Sequence, residues 1–180
     1  MKTIKRKVSL KGITPIMFDR YAGSNDEQLP TMQKAYYSSK KTLVFPALNI
    51  ISFLSSQNTE SAPQRVVGKK WKTVAKAALS FVQIEPFEIP ILREGKPVGE
   101  NDLTVMSHVA RVKKGNLSVP NPKERPVLSL PWNIEFDMTL LETNELSENV
   151  LRKLFEVGGL AIGLGTFRGV FGKFVVDKWE

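Results

Sequence analysis

A strict alternation of apolar and polar residues near the C-terminus most narrows the folds available to this chain. Residues 132–140 read WNIEFDMTL, so every second side chain is apolar and those between are polar or acidic. This two-residue period predicts a strand with one buried face. Ser147 is a favourable N-cap for an amphipathic helix that we expect to stop at Gly158-Gly159, and residues 174–176 predict a closing strand.

A strand, a helix and a strand in that order make half of a ferredoxin-like fold. Residues 3–92 predict the other half, because residues 3–18 alternate like a strand and two helical patterns follow, one after Pro46 and one within 65–82. The sequence therefore predicts the α+β class. Within it we expect a ferredoxin-like (RRM-like) antiparallel sheet with helices on one face, formed by a single domain over residues 1–180.

Two segments are expected to lie outside the sheet and helices of the ferredoxin-like fold. Residues 19–42 have the composition of a long loop, with basic and aromatic side chains interleaved. Residues 105–130 predict a projecting β-hairpin that turns at Lys113–Asn116. Its tip is expected to be basic, with one opposing acid, Glu124, against Arg111, Lys113, Lys114, Lys123 and Arg125.

Composition favours a polyanionic partner. The 180 residues carry a formal net charge of +8, and a basic excess of this size is typical of proteins that bind nucleic acid or acidic membranes. The chain has no cysteine and one histidine, His108, which excludes disulfides, thiolate nucleophiles, Cys-based zinc sites and the usual His-containing triads. No signal-peptide or membrane-spanning pattern is found, so we expect a cytoplasmic protein with no membrane partner and no cofactor.

The cations form several basic strips, which are expected to bind phosphates. One lysine row lies on one face of the first predicted strand, and an ordinary solvated strand face would look the same. The strips comprise Lys5, Lys7 and Lys11; Lys40 and Lys41 in the long loop; Lys69, Lys70 and Lys72 around Trp71; and Arg111, Lys113 and Lys114 in the hairpin.

A glycine run over residues 158–172 is the most informative segment for function. Its candidate ligand-binding residues are Gly163, Gly165, Arg168, Gly169 and Lys173. Glycines let backbone N–H groups approach a phosphate, to which an arginine can add a fork of donors. Close helix–strand packing would explain the glycines equally well. The spacing fits neither a dinucleotide-binding fingerprint nor a triphosphate-binding loop.

This run resembles the glycine-rich loop of the repeat-associated mysterious protein (RAMP) superfamily, the ferredoxin-like RNA-binding proteins of CRISPR systems. The segment Phe45–Leu54 is similar to a second hallmark of that superfamily, a strand that leads through a proline turn into the first helix. Together these matches cover residues 1–56 and 136–180 in order. Residues 103–176 also resemble, less closely, small phage and prophage proteins.

The resemblance implies that RNA or single-stranded DNA lies along the sheet-to-helix face, contacted by the glycine-rich loop and a thumb-like hairpin, here residues 105–130. In some relatives a loop aspartate after the first strand cuts RNA with a metal, and Asp19 or Asp26 lies in the corresponding loop. We expect this chain instead to bind without catalysis, with all its basic strips joined to the loop at Arg168 in one continuous positive track.

Three hypotheses remain open on the sequence alone. The first is a non-catalytic binder of single-stranded nucleic acid that acts as a homo-oligomer or as a subunit of a nucleoprotein complex. The second is a metal-dependent ribonuclease of a CRISPR-type complex. The third is a phage structural or assembly protein whose acidic strand face over residues 132–140 pairs with basic strips of another copy.

Overall fold

The computed structural model describes residues 2–24 and 26–180, which form two antiparallel sheets and four α-helices. Short 3-10 turns occupy Thr31–Lys34, Gly68–Lys70 and Glu100–Asp102. The α-helices are α1 (Ala47–Ser55), α2 (Ala62–Val66), α3 (Trp71–Phe81) and α4 (Glu148–Ala161). The strands are β1 (Thr3–Gly12), β2 (Ile16–Met17), β3 (Val44–Pro46), β4 (Val82–Glu85), β5 (Glu88–Arg93), β6 (Lys96–Pro97), β7 (Leu103–Lys114), β8 (Leu117–Leu128), β9 (Asn133–Leu141) and β10 (Phe174–Trp179).

The larger sheet has the strand order expected of a ferredoxin-like fold. Its central strands run β10-β1-β9, with β4 and β5 sharing the outer edge of β9, and the pairs in this part of the sheet are antiparallel. Helices α1–α3 connect β1 to β4, and α4 connects β9 to β10. This connectivity agrees with the antiparallel α+β arrangement predicted from the alternating strands.

One face of the larger sheet packs against the helices. Even-numbered residues of β1 and β9, such as Leu10 and Phe136, are buried in a common core with Phe53 of α1 and Phe155 of α4. Most odd-numbered residues of the same strands are exposed or half-buried. We call the odd-numbered side of β1 and β9 the polar sheet face. The helices thus lie on one side of the sheet, as predicted.

Close packing at glycines explains two differences from the predicted elements. The strand expected over residues 3–18 is interrupted after Gly12, where a Cβ would lie 2.2 Å from the buried indole of Trp132. Helix α4 does not stop at Gly158-Gly159, so that prediction is wrong. It continues to Ala161 because those glycines let Phe53 and Phe174 pack against the helix, at 2.7 and 2.6 Å from the positions of the missing Cβ atoms.

The smaller sheet is dominated by a long hairpin, which we call the arm (β7 and β8). Its twelve cross-strand pairs run from Leu103–Leu128 to Lys114–Leu117, and it turns through Gly115, whose φ is +62°. The base of the arm pairs with β2, whereas the outer half is exposed on both faces. A hairpin therefore occupies nearly the residues expected to project. Within the described ranges, no helix is long and apolar enough to cross a bilayer.

A half-buried carboxylate, Glu148, fastens α4 to the sheet and gives a pH-dependent prediction. Glu148 accepts hydrogen bonds from Arg6 at 2.6 and 3.1 Å and from the Trp179 indole at 2.9 Å, and these bonds hold the pKa of Glu148 below its usual value. Glu148→Gln should lower the free energy of unfolding at pH 7 by about 1.5–3 kcal/mol. The folded pKa is depressed, so this contribution is present above the unfolded pKa and is lost as pH falls through the folded one.

Urea unfolding of both proteins between pH 7 and pH 3 checks this expectation, since the difference should shrink toward acid. The control is Glu156→Gln, which removes an exposed pair with Arg152 on the same helix and should cost about 0.5 kcal/mol or less. A pH-independent difference for Glu148→Gln would contradict the assignment.

Candidate nucleic-acid interface

Three glycines of the glycine loop (residues 162–173) are required by backbone packing. Gly163, Gly165 and Gly172 all have positive φ, and a Cβ on any of them would lie within 2.6 Å of another residue's backbone. Backbone hydrogen bonds from Thr166 to Met17 and from Gly172 to Pro15, 2.9 and 2.7 Å long, fix the loop to the segment around β2. For these three positions the packing explanation holds, and it leaves the loop rigid.

The outer part of the glycine loop is more open to solvent than these packed positions. Gly169 has a φ of +86°, is exposed, and has no neighbour near the position of a Cβ. Among the described residues, the backbone N–H groups of Gly165, Phe167 and Arg168 form no hydrogen bond. N–H groups without acceptors in a rigid, glycine-rich turn can bind an anion.

Arg168 is half-buried beside these N–H groups. Its Nη1 donates to the carbonyl of Glu60 at 2.6 Å, while Nη2 has no hydrogen-bond partner in the part of the chain that the structure describes. Burial lowers the pKa of Arg168, and the charge of Glu60 partly offsets this. A guanidinium that is partly desolvated and has spare donors is well suited to a phosphate, because an anion would restore the interactions lost with water.

A cavity of about 160 Å³ opens next to Arg168. Three aromatic side chains contribute to its lining: Phe18, Tyr36 and Phe45. Polar groups from Asp19, Asn49, Gly165 and Arg168 complete it. Its residues come from the segment after β2, the long loop, β3, α1 and the glycine loop, so the fold assembles it from distant parts of the chain.

Asp19 joins this cavity to the base of the arm. Its Oδ2 accepts two hydrogen bonds from Arg125, at 2.9 and 2.6 Å, and lies 3.7 Å from Lys123 Nζ. Arg125 also donates from Nη1 to His108 Nε2 at 2.8 Å, and the His108 ring contacts Phe167 of the glycine loop edge-on. The sequence analysis assigned Lys123 and Arg125 to the basic tip of the hairpin, and that assignment is wrong. Both side chains bind the loop aspartate, Asp19, near the base of the arm.

The surroundings of His108 lower its pKa and so favour the neutral ring. Burial is the largest cause that lowers its pKa, followed by the charge of Arg125, while Asp19 partly opposes them. Because Nε2 accepts from Arg125, the ring proton is on Nδ1, which is buried and unpaired among the described residues.

The long loop packs against the arm and leaves two open clefts of about 480 and 410 Å³. Lys34, buried at 5% exposure, donates to the Glu124 carbonyl at 2.6 Å and lies in both clefts, as does Lys123. Asp26 is exposed at the surface of this loop. The loop is mostly irregular, as predicted, and contains one 3-10 turn. No cluster of three or more His, Asp or Glu side chains with metal-binding geometry occurs in residues 2–24 and 26–180.

No protein-family model and no curated protein matches this chain by sequence. Among solved structures, it is similar to a chain in the cryo-EM structure of the Type III-B Cmr-beta bound to cognate target RNA. The TM-score is 0.55 at 12% sequence identity. The likeness is one of fold. It covers 99% of this chain and 60% of the Cmr-beta chain, so the present protein spans little more than half the length of that relative.

The sequence-predicted cations do not share one surface. The first group is exposed on the polar sheet face: Lys5, Lys7 and Lys11. Asp137 lies directly across the strands from Lys7, so acids are interspersed with these lysines. The second group is exposed in the helix layer, on the other side of the sheet: Lys69, Lys70 and Lys72. The expectation of one continuous positive track through every basic strip is therefore wrong, because the sheet separates these two groups.

The remaining candidates lie on the loop and arm elements. Lys40 and Lys41 are exposed in a turn closed by hydrogen bonds between Ser38 and residues 41–42. Lys173 is half-buried next to β10, and its backbone is bound to Ile13 and Thr14. The exposed end of the arm carries Arg111, Lys113 and Lys114.

Sequence reasoning missed three residues that the structure brings to this region: Lys34, Asn49 and Phe167. A helix position such as Asn49 gives no sign of which loop lies above it. Phe167 offered a local signal, since an aromatic residue between glycines next to an arginine is unusual, and its φ of +54° shows that the backbone holds it in a strained conformation.

Proposed function

We propose that this protein binds single-stranded RNA, without cleaving it, as a RAMP-like subunit of a larger nucleoprotein complex. The observation that carries the proposal is the rigid glycine loop, whose unpaired N–H groups and Arg168 donors lie beside the base of a long, basic-tipped arm. Such a loop can hold one phosphate while the arm contacts phosphates further along the strand. The RNA-bound Cmr-beta relative supports RNA over DNA.

The state of Asp19 supports binding rather than catalysis. Of the two Asp19 carboxylate oxygens, Oδ2 is held by Arg125 and lies near Lys123, which leaves only Oδ1 for a metal. A divalent cation placed there would face two fixed positive charges. We therefore propose that Asp19 orders the interface.

The arm supports a role within an assembly. Leu117 and Val109 are 71% and 62% exposed, and Val105, Met106, Val112 and Val119 are exposed to lesser degrees. An outer hairpin with apolar side chains on both faces buries little by itself, and exposed apolar side chains of this kind often mark a surface that a partner covers. Sizing chromatography with and without RNA should show whether that partner is a second copy.

Removal of the arm-tip charges tests the proposal. The variant Arg111→Gln/Lys113→Gln/Lys114→Gln should bind a mixed-sequence single-stranded RNA about 100-fold more weakly at 0.1 M salt, and almost normally at 1 M. The slope of log K against log salt should fall by about 2, because three phosphate contacts each contribute about 0.7 for a single strand. Fluorescence anisotropy across a salt series measures both quantities.

The matched control removes the same charge from the polar sheet face, as Lys5→Gln/Lys7→Gln/Lys11→Gln. That variant should keep its affinity within about threefold and its salt slope within about half a unit, because only long-range attraction changes. Equal losses of RNA affinity in the two triple variants would show that binding depends on net charge alone, and would overturn the proposed interface. A third variant, Lys69→Gln/Lys70→Gln/Lys72→Gln, tests whether the proposed interface also includes the helix layer, in which case its RNA affinity should fall.

A further inference from the structure

The outer edge of β8 is closed to another strand. The carbonyls of Glu124 and Pro126 accept from the Lys34 ammonium and the Phe18 N–H, so the even-numbered residues of β8 point their backbone groups away from β7. Three of these even-numbered positions are prolines, which have no N–H to donate: Pro120, Pro122 and Pro126. The base of this edge is also covered, because it pairs with β2.

The outer edge of β7 is open. This strand is the last of the smaller sheet, and its odd-numbered residues pair with the even-numbered residues of β8, so their backbone groups also point outward. Among the described residues, none of those groups from 105 to 113 forms a hydrogen bond. β7 contains no proline, and Val105 and Val109 on it are 47% and 62% exposed. A long, unprotected edge of this kind is a template for another strand.

The charges along β7 determine which strand fits. The acidic turn Glu100–Asp102 comes directly before β7, residues 103–110 contain no acid, lysine or arginine, and the basic tip follows. Glu100 is exposed and forms no ion pair in the part of the chain that the structure describes. If two copies of β7 lay side by side in antiparallel directions, each basic tip would approach the acidic turn of the other copy. Parallel strands would instead bring like charges together.

We propose that two copies of this protein pair through the outer edges of their β7 strands, antiparallel and related by a twofold axis. Ser107 of each copy lies opposite Ser107 of the other, Val105 lies opposite Val109, and each basic tip lies beside Glu100 of the other copy. The two arms thus form one continuous sheet, whose interface is the same patch on both copies. This inference goes beyond the proposed RNA binding and does not depend on it.

The substitution Ser107→Pro tests the shared edge. The Ser107 N–H points away from β8, so proline removes no bond from the hairpin but removes one donor per copy from the interface. The parent should sediment as a dimer in the absence of nucleic acid, and the variant should dissociate about tenfold more readily or more. The control, Ser118→Pro, removes an outward N–H from the closed edge of β8 and should leave the dimer unchanged. Analytical ultracentrifugation measures the dissociation constants.

A charge exchange tests the antiparallel arrangement. Glu100→Lys should weaken the dimer about tenfold by placing a third cation beside Lys113 and Lys114 of the other copy, and Lys113→Glu/Lys114→Glu should do the same by gathering acids. An equal mixture of these two variants should form the mixed dimer, because both of its contacts then join opposite charges. Circular dichroism verifies the fold of each variant. If proline disrupts the hairpin, the charge exchange alone decides the proposal.

Two results would overturn the pairing. One is a parent that stays monomeric up to about 100 μM, and the other is a dimer that a folded Ser107→Pro variant leaves intact. A parent dimer whose charge variants do not associate when mixed would overturn the antiparallel arrangement. Because every sample lacks nucleic acid, the outcome is independent of RNA affinity, and a failure of RNA binding would be detected separately by anisotropy.

Discussion

Gly172→Ala should destabilise the protein by about 4 kcal/mol or more, whereas Gly169→Ala should cost only about 1–2 kcal/mol. Both glycines have left-handed backbone, with φ of +72° and +86°, so both substitutions carry the penalty of placing an L side chain there. Only at Gly172 would the new Cβ also collide, 1.8 Å from the carbonyl oxygen of Leu164. A backbone atom cannot move aside as a flexible side chain can.

Comparison of Gly172→Ala with Gly169→Ala separates the effect of the glycine loop on folding from its effect on ligand binding. Urea unfolding gives the two free energies, and their difference isolates the collision because the backbone penalty is shared. Gly169→Ala leaves the loop folded and places a methyl group where nothing lies within 4 Å. If this variant binds RNA much more weakly while it remains folded, the outer loop contacts the ligand. Similar unfolding free energies for the two variants would contradict the packing explanation for Gly172.

The sequence was sufficient to predict the elements that depend on local patterns. Alternation at residues 132–140 predicted β9 and its buried face, and the turn residues at 113–116 predicted the hairpin. These predictions succeed because side-chain period and turn chemistry are properties of neighbours in the chain. The antiparallel order of β10, β1 and β9 is that of the ferredoxin-like arrangement predicted from the strand–helix–strand pattern.

The candidate site could be predicted only in part, because it depends on contacts between distant residues. The lysine row on β1 was correctly assigned to one strand face, but no local pattern says on which side of the sheet the lysines of the helices lie. Glycines were read as either ligand-binding or packing positions, and the structure divides them, with Gly163, Gly165 and Gly172 in packing and Gly169 exposed. The continuation of α4 through Gly158 depends on Phe53, far away in the sequence.

The pairing of Asp19 with Arg125, 106 residues apart, leads to the second large prediction. Asp19→Ala should lower the free energy of unfolding by about 3–5 kcal/mol, because it leaves a buried guanidinium without its counter-charge. Arg125 is 8% exposed, and Lys123 and Lys34 lie near enough to add repulsion once the carboxylate is gone. Denaturant unfolding at neutral pH measures the loss.

The double variant Asp19→Ala/Arg125→Met should recover most of that stability, because a hydrophobic side chain of similar length replaces the stranded charge. Recovery would show that the cost lies in the unpaired cation and that the carboxylate itself is dispensable for folding. The double variant would then have a folded core but an arm no longer fixed to the loop by the ion pair, and RNA binding should fall although the tip charges remain. A loss below about 1 kcal/mol for Asp19→Ala would mean that water reaches Arg125. The base of the arm could then not hold the orientation on which the proposed interface depends.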